Sequence, residues 1–148
     1  MNRLFIHTDG GARHNPGPAA IGVVIKSEKG EILKRISKGI GETTNNVAEY
    51  RAVVEALEWV GENAAMKPFD PTQGRQCSHE KMIQFFLDSA LVVNQLNGLF
   101  KVKDGELKNY LLKIRELEQQ VGGNISYTLV PREKNWEADL LVNKALDG

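Results

Sequence analysis

Four acids stand where carboxylates from distant segments can meet. Asp9 and Asp88 each close a strand-like run, Arg3-Leu4-Phe5-Ile6-His7-Thr8-Asp9 and Ile83-Gln84-Phe85-Phe86-Leu87-Asp88. In mostly parallel α/β sheets, sites gather at the carboxyl ends of strands. Glu49 falls in the first turn of a helical stretch. Asp139 follows Asn135 by one helical turn, so the two share a face. Each acid also has a local explanation. Asp9 precedes Gly10-Gly11 as a turn residue, and Asn46-Val47-Ala48-Glu49 is close to a capping box. Asp88 is placed to cap the helix after it, and Asp139 suits the positive end of its own helix. Taken together, these local explanations leave the flanking polar residues without a reason.

Convergence has a physical consequence. Two carboxylates about 4 Å apart repel by roughly 4 kcal/mol at an effective dielectric near 20. Four such groups without a counter-charge must hold protons or bind a cation. Oxygen ligands and only three histidines favour Mg2+ or Mn2+ over Zn2+. Two such ions about 3.5–4 Å apart suit in-line displacement at phosphorus.

The elements that must position these acids follow from periodicity and turn chemistry. Residues 3–9 read as a strand, 10–19 as a tight glycine- and proline-rich loop, and 20–27 as a second strand. Lys29-Gly30 suits a hairpin leading to a third strand over 31–40. Lys34 and Lys38 mark that strand as a sheet edge. Tyr50, Val53, Val54, Leu57 and Val60 repeat with helical spacing, predicting a helix over 46–64. Residues 66–82 read as a surface insertion. A fourth strand covers 83–88, and a short helix over 89–97 closes at Asn97-Gly98. Leu107, Tyr110, Leu111, Ile114, Leu117 and Val121 mark a third helix, stopped by Gly122-Gly123. Residues 124–130 form a fifth strand, and 135–146 a last helix. The order βββαβααβα predicts an α/β domain: a five-stranded mixed sheet, its first three strands antiparallel, flanked by helices. The expectation is a single domain over 1–148.

Composition narrows the class. Of 148 residues, 41% are hydrophobic and 26% charged, as in a folded globular chain. No run approaches the roughly 18 apolar residues of a membrane span. Met1-Asn2-Arg3 leads straight into a strand, so no leader is expected. The single cysteine, Cys77, excludes an internal disulfide framework and fits a cytoplasmic protein. Nineteen basic residues balance nineteen acids. Setting aside the four acids above leaves nineteen against fifteen, a surface biased toward anionic partners.

The residues around these acids form motifs with a known counterpart. Thr8-Asp9-Gly10-Gly11, Asn15-Pro16-Gly17-Pro18, Thr44-Asn45-Asn46 with Glu49, Leu87-Asp88-Ser89, and Arg132-Glu133-Lys134-Asn135 leading to Ala138-Asp139 resemble type I ribonuclease H. The resemblance runs from residue 3 to about 146 and keeps the family's order. It implies endonucleolytic cleavage of the RNA strand of RNA–DNA hybrids, leaving 5′-phosphate and 3′-hydroxyl ends. It implies that Asp9, Glu49, Asp88 and Asp139 hold Mg2+ or Mn2+, two ions with substrate bound. Asn15, Asn45 and Asn46 resemble residues that contact the hybrid in its minor groove, near RNA 2′-hydroxyls. Thr44 resembles one that helps hold a phosphate of the DNA strand. Gly10, Gly11 and Ser89 belong to the same substrate-facing motifs. No protein partner and no membrane is implied, and the chain is expected to act as a monomer.

Three departures from the family pattern stand out. Many bacterial members carry a histidine on the loop before the last helix. Here that loop is Val130-Pro131-Arg132-Glu133-Lys134-Asn135, with Arg132 as the replacement. Arginine stays protonated, so it serves to hold a phosphate oxygen or release product, not as a base. Ala90 stands where some members place Gln or Glu. The basic protrusion is reduced to Lys101 and Lys103 between Gly98 and Glu106, which predicts a weaker grip on the hybrid. Two alternatives stay open at this point: a hybrid-binding module without activity, and a related nuclease acting on DNA. Cys77 and His79 are too sparse for a metal site. Trp136 stands at a helix start that could face substrate.

Overall fold

The computed structural model describes residues 3–65 and 81–148. Five strands form one sheet in the order β3-β2-β1-β4-β5. They are β1 (Arg3–Ala12), β2 (Gly17–Ser27), β3 (Ile32–Thr43), β4 (Met82–Leu87) and β5 (Asn124–Leu129). β1, β2 and β3 are antiparallel neighbours, whereas β4 runs parallel to both β1 and β5. The helices are α1 (Asn45–Ala65), α2 (Ala90–Leu96), α3 (Gly105–Val121) and α4 (Trp136–Asp147). This is the expected order and mixed sheet, with β3 and its lysines on one edge.

The main core lies on one face of the sheet. Ile6, Ile21, Val23 and Ile25 pack there with Tyr50, Val53 and Leu57 of α1 and Ile114 and Leu117 of α3. Across the other face lies α4. Its Glu137 pairs with Lys26 of β2 at 2.8 Å, and the Leu141 carbonyl accepts from the Ser37 hydroxyl at 2.6 Å. Both sheet faces are therefore covered, and the acids can only meet at an end of the sheet.

Several boundaries differ from the sequence reading, for identifiable reasons. Gly10 and Gly11 lie inside β1, not in a loop, and the hairpin to β2 occupies only residues 13–16. A side chain at Gly10 would overlap the backbone of Ala48 and Glu49 in α1. The glycine provides room for a helix, which turn chemistry alone cannot reveal. α1 is capped by Thr44, whose Oγ1 accepts from the Val47 N–H at 3.2 Å. The Asn46–Glu49 capping box therefore does not form. Ser89, not Asp88, caps α2 by accepting from the Val92 N–H. Before α4 the chain makes a 3-10 turn, Arg132–Asn135. Most of the expected 66–82 insertion, with Cys77 and His79, lies outside the described residues; Met82 already belongs to β4.

Candidate active site

The acids meet where β1 and β4 part. The parallel ladder ends at the His7–Phe86 pair, and two positions further along lie Asp9 and Asp88. Asp9 is thus still within β1, not at its end as the run of residues suggests. α1 crosses this end of the sheet against Gly10 and brings in Glu49. The Gly10 N–H donates to Glu49 Oε1 at 2.9 Å and to Asp9 Oδ1 at 3.0 Å. One backbone donor thereby ties two carboxylates together. The close approach of Gly10 to α1 and this shared hydrogen bond are two effects of the same packing.

One oxygen each of Asp9, Glu49 and Asp88 lies within 4.8 Å of the others. Asp139, from α4, lines the same cleft outside that closest trio, and Asn143 donates to its Oδ2 at 3.5 Å. Asp9 and Glu49 are only 7% and 6% exposed, so their mutual repulsion is poorly screened. Burial, then the charges of Asp88 and Asp139, push Asp9 from 3.8 up to about 7. The Gly10 N–H offsets part of that rise. Burial, then Asp9 and Asp88, push Glu49 well above the ordinary carboxylate range. Among the described residues no ion pair supplies any of the four with a counter-charge. Clustered hard oxygen donors with that deficit fit a hard divalent cation.

The cleft holding them has a volume of about 470 Å3. Gly10, Gly11, Asn45, Asn46, Ser89 and Arg132 also line it. Asn15 and Thr44 do not line it directly. Asn15 Oδ1 accepts from the Asn45 N–H at 2.9 Å, and Asn45 Oδ1 accepts from the Ala12 N–H at 2.7 Å. Both side-chain carbonyls are therefore engaged, leaving the amide NH2 groups as donors. Thr44 is the α1 cap. Two polar lining residues, Arg13 and Asn143, escaped the sequence reading. Asn143 lies four residues beyond Asp139, so the spacing that linked Asn135 to Asp139 also pointed to it. Trp136 is 59% exposed and lies outside the cleft.

A second polar cavity, about 510 Å3, lies between α3 and β5, away from these acids. Its charged groups satisfy one another. Arg115 pairs with Glu118 at 3.0 Å, and the Tyr127 hydroxyl donates to Glu118 at 2.6 Å. It braces the fold and offers little free polar chemistry.

The sheet order, the flanking helices and the acid cluster at the β1–β4 end define an α/β domain with a carboxylate-lined cleft. The ribonuclease H family model matches residues 1–146. The chain is 39% identical over 145 residues to Ribonuclease HI of Halobacterium salinarum, covering 98% of this chain and 65% of that protein. It is 34% identical over 146 residues to a bifunctional protein of Mycobacterium tuberculosis, again with 98% of this chain. It spans only 36% of that protein's length. Among solved structures, LC11-RNase H1 in complex with an RNA/DNA hybrid superposes with a TM-score of 0.84 at 45% identity. That match covers 97% of this chain and 96% of the other. The chain belongs to the ribonuclease H family, and within it to type I.

Proposed function

We propose that this chain is a divalent-cation-dependent endonuclease that hydrolyses the RNA strand of RNA–DNA hybrids and leaves 5′-phosphate and 3′-hydroxyl ends. The observation that carries the reading is the approach of Asp9, Glu49 and Asp88 to within 4.8 Å in an open polar cleft. The hybrid bound by the similar LC11-RNase H1 supports the substrate. Asp9, Glu49, Asp88 and Asp139 hold Mg2+ or Mn2+, two ions when substrate is present. A divalent cation at these carboxylates would supply the Lewis acidity that phosphodiester hydrolysis needs.

The rest of the work belongs to the chain's own groups. Asn15 and Asn45 present amide donors, because their carbonyl oxygens are already engaged. Such donors suit minor-groove acceptors and 2′-oxygens, and a 2′-hydroxyl is what separates RNA from DNA at one position. Asn46 extends that donor row within the cleft. The Thr44 hydroxyl accepts from α1 and retains its proton for a DNA-strand phosphate. Gly10 and Gly11 present backbone at the cleft, Gly10 with its open side turned to α1, and Ser89 stands beside Asp88. Arg132, permanently charged and exposed at the cleft, holds a phosphate oxygen or assists product departure.

The test compares labelled RNA–DNA hybrid, double-stranded RNA and double-stranded DNA, each with Mg2+, with Mn2+ and with chelator. Cleavage of the hybrid's RNA strand alone, dependent on the ion, is expected, with 5′-phosphates found by mass spectrometry. Hybrid binding without cleavage in either ion would replace this reading with a binding module. Cleavage of DNA duplex would point to a different nuclease.

A further inference from the structure

Asn135 is fully buried at the start of α4, and its side chain is spent unusually. An asparagine at a helix N-terminus ordinarily turns its oxygen onto the first free N–H groups, worth about 1 kcal/mol. Here it makes no such cap. Its Nδ2 instead donates to the Thr8 carbonyl at 2.9 Å and to Asp88 Oδ2 at 3.3 Å. Its Oδ1 is left buried with no partner. Both neighbours of Nδ2 are acceptors, so a flipped amide would set oxygen against oxygen. The residue thus forgoes a cap and leaves a buried acceptor unsatisfied, each at a cost to stability. A site that gives up local stability in this way is a candidate for function.

The placement indicates which function. The β1–β4 ladder ends at His7–Phe86, immediately before the acids. Past that pair, the Asn135 amide is a polar link between the β1 backbone at Thr8 and Asp88. Thr8 is the residue before Asp9, so the amide spans from the backbone next to Asp9 to the Asp88 carboxylate. A carboxylate with one oxygen held has its other oxygen directed as well. Asp139 lies four residues further on, in the first turn of α4, so the link also joins the start of α4 to the two strands.

We propose that Asn135 is a positioning residue that fixes Asp88 relative to Asp9 for cation binding. This rests on the functional reading above. Outer partners of metal-holding carboxylates commonly contribute about 10–100-fold to metal affinity or activity.

Calorimetric Mn2+ titration of the full chain and of Asn135→Ala, without nucleic acid, tests the proposal. Mn2+ affinity should fall about 10–100-fold. On the hybrid, kcat should fall while KM stays within about twofold, and raising the cation concentration should recover part of kcat. If Asn135→Ala does not fold, the wild-type protein decides. Its buried Asn135 side-chain amide resonances should shift on Mg2+ titration with the midpoint seen for the Gly10 amide. Amide resonances that stay still, or a folded variant that binds Mn2+ like the wild type, would reduce Asn135 to a structural brace and overturn the proposal. Wild-type protein that binds neither cation would remove the functional reading, and this proposal with it. Wild-type cleavage with an unaffected variant would remove the proposal alone.

Discussion

Asp9 and Asp88 stand level with each other across the gap where β1 leaves β4. Continuing the parallel register two positions past His7–Phe86 sets one opposite the other. Hydrogen-bonded strands bring neighbouring backbones to about 4.8 Å. Two carboxylates so placed, with Glu49 delivered across Gly10, form a pocket of negative charge whose consequences can be measured.

Replacing Asp9 by Asn should abolish cleavage and stabilise the cation-free protein. Turnover should fall at least about a thousandfold, or ~4 kcal/mol of transition-state stabilisation. The neutral amide relieves repulsion with Asp88 and Asp139 and can still accept from Gly10. Melting in chelator should therefore rise by several degrees. Near-normal turnover would contradict the assignment of Asp9 as a cation ligand.

The raised acids set a direction for pH dependence. Asp9 reaches about 7 in the fold against 3.8 unfolded, and Glu49 is shifted the same way. A carboxyl raised on folding stabilises the protein fully below its unfolded value and loses that contribution as pH rises through the folded one. In chelator, Tm should fall between about pH 4 and pH 7. Saturating Mg2+ should remove most of that slope, because the cation favours the deprotonated site. A chelated protein that grew more stable over this range would argue against the buried cluster.

Arg132→Ala should lower turnover about tenfold and leave Mn2+ affinity unchanged. The guanidinium lines the cleft but is not among the clustered carboxylates. Titration calorimetry beside steady-state kinetics separates the two effects. Unchanged turnover would make Arg132 an ordinary surface charge.

Lys101, Lys103 and Lys108 line a cavity of about 620 Å3 with Val102 and Leu111. Lys101 and Lys103 belong to the reduced protrusion, and Lys108 is the third, from α3. Each phosphate contact contributes about one to the slope of log affinity against log salt. Changing all three to Gln should flatten that slope for hybrid binding by about two to three. An unaltered slope would place the hybrid elsewhere.

Gly10→Ala and Gly22→Ala should both destabilise the fold by about 2–3 kcal/mol or more, on opposite faces of the sheet. The new methyl would meet Ala48 and Glu49 of α1 in one case and Ala138 of α4 in the other. Chemical denaturation measures this. A stable Gly10→Ala variant would show that the glycine serves substrate access and not helix packing.

Much of this protein was legible in residue order. Element types, the sheet edge at Lys34 and Lys38, and the stop at Gly122-Gly123 depend on periodicity and backbone preference, which are local. The four acids were identifiable because motifs around them occur in a fixed order. Other features depended on contacts between distant segments. Gly10 read as a turn because nothing nearby in sequence shows that α1 passes over it. Glu49 resembled half of a capping box until Thr44 proved to be the cap and Gly10 the donor to Glu49. Asn135 read as a helix start, yet its amide turns to Thr8 and Asp88, which lie 127 and 47 residues away. Local spacing determines which face a side chain takes, but only the folded register decides which charges come close enough to repel.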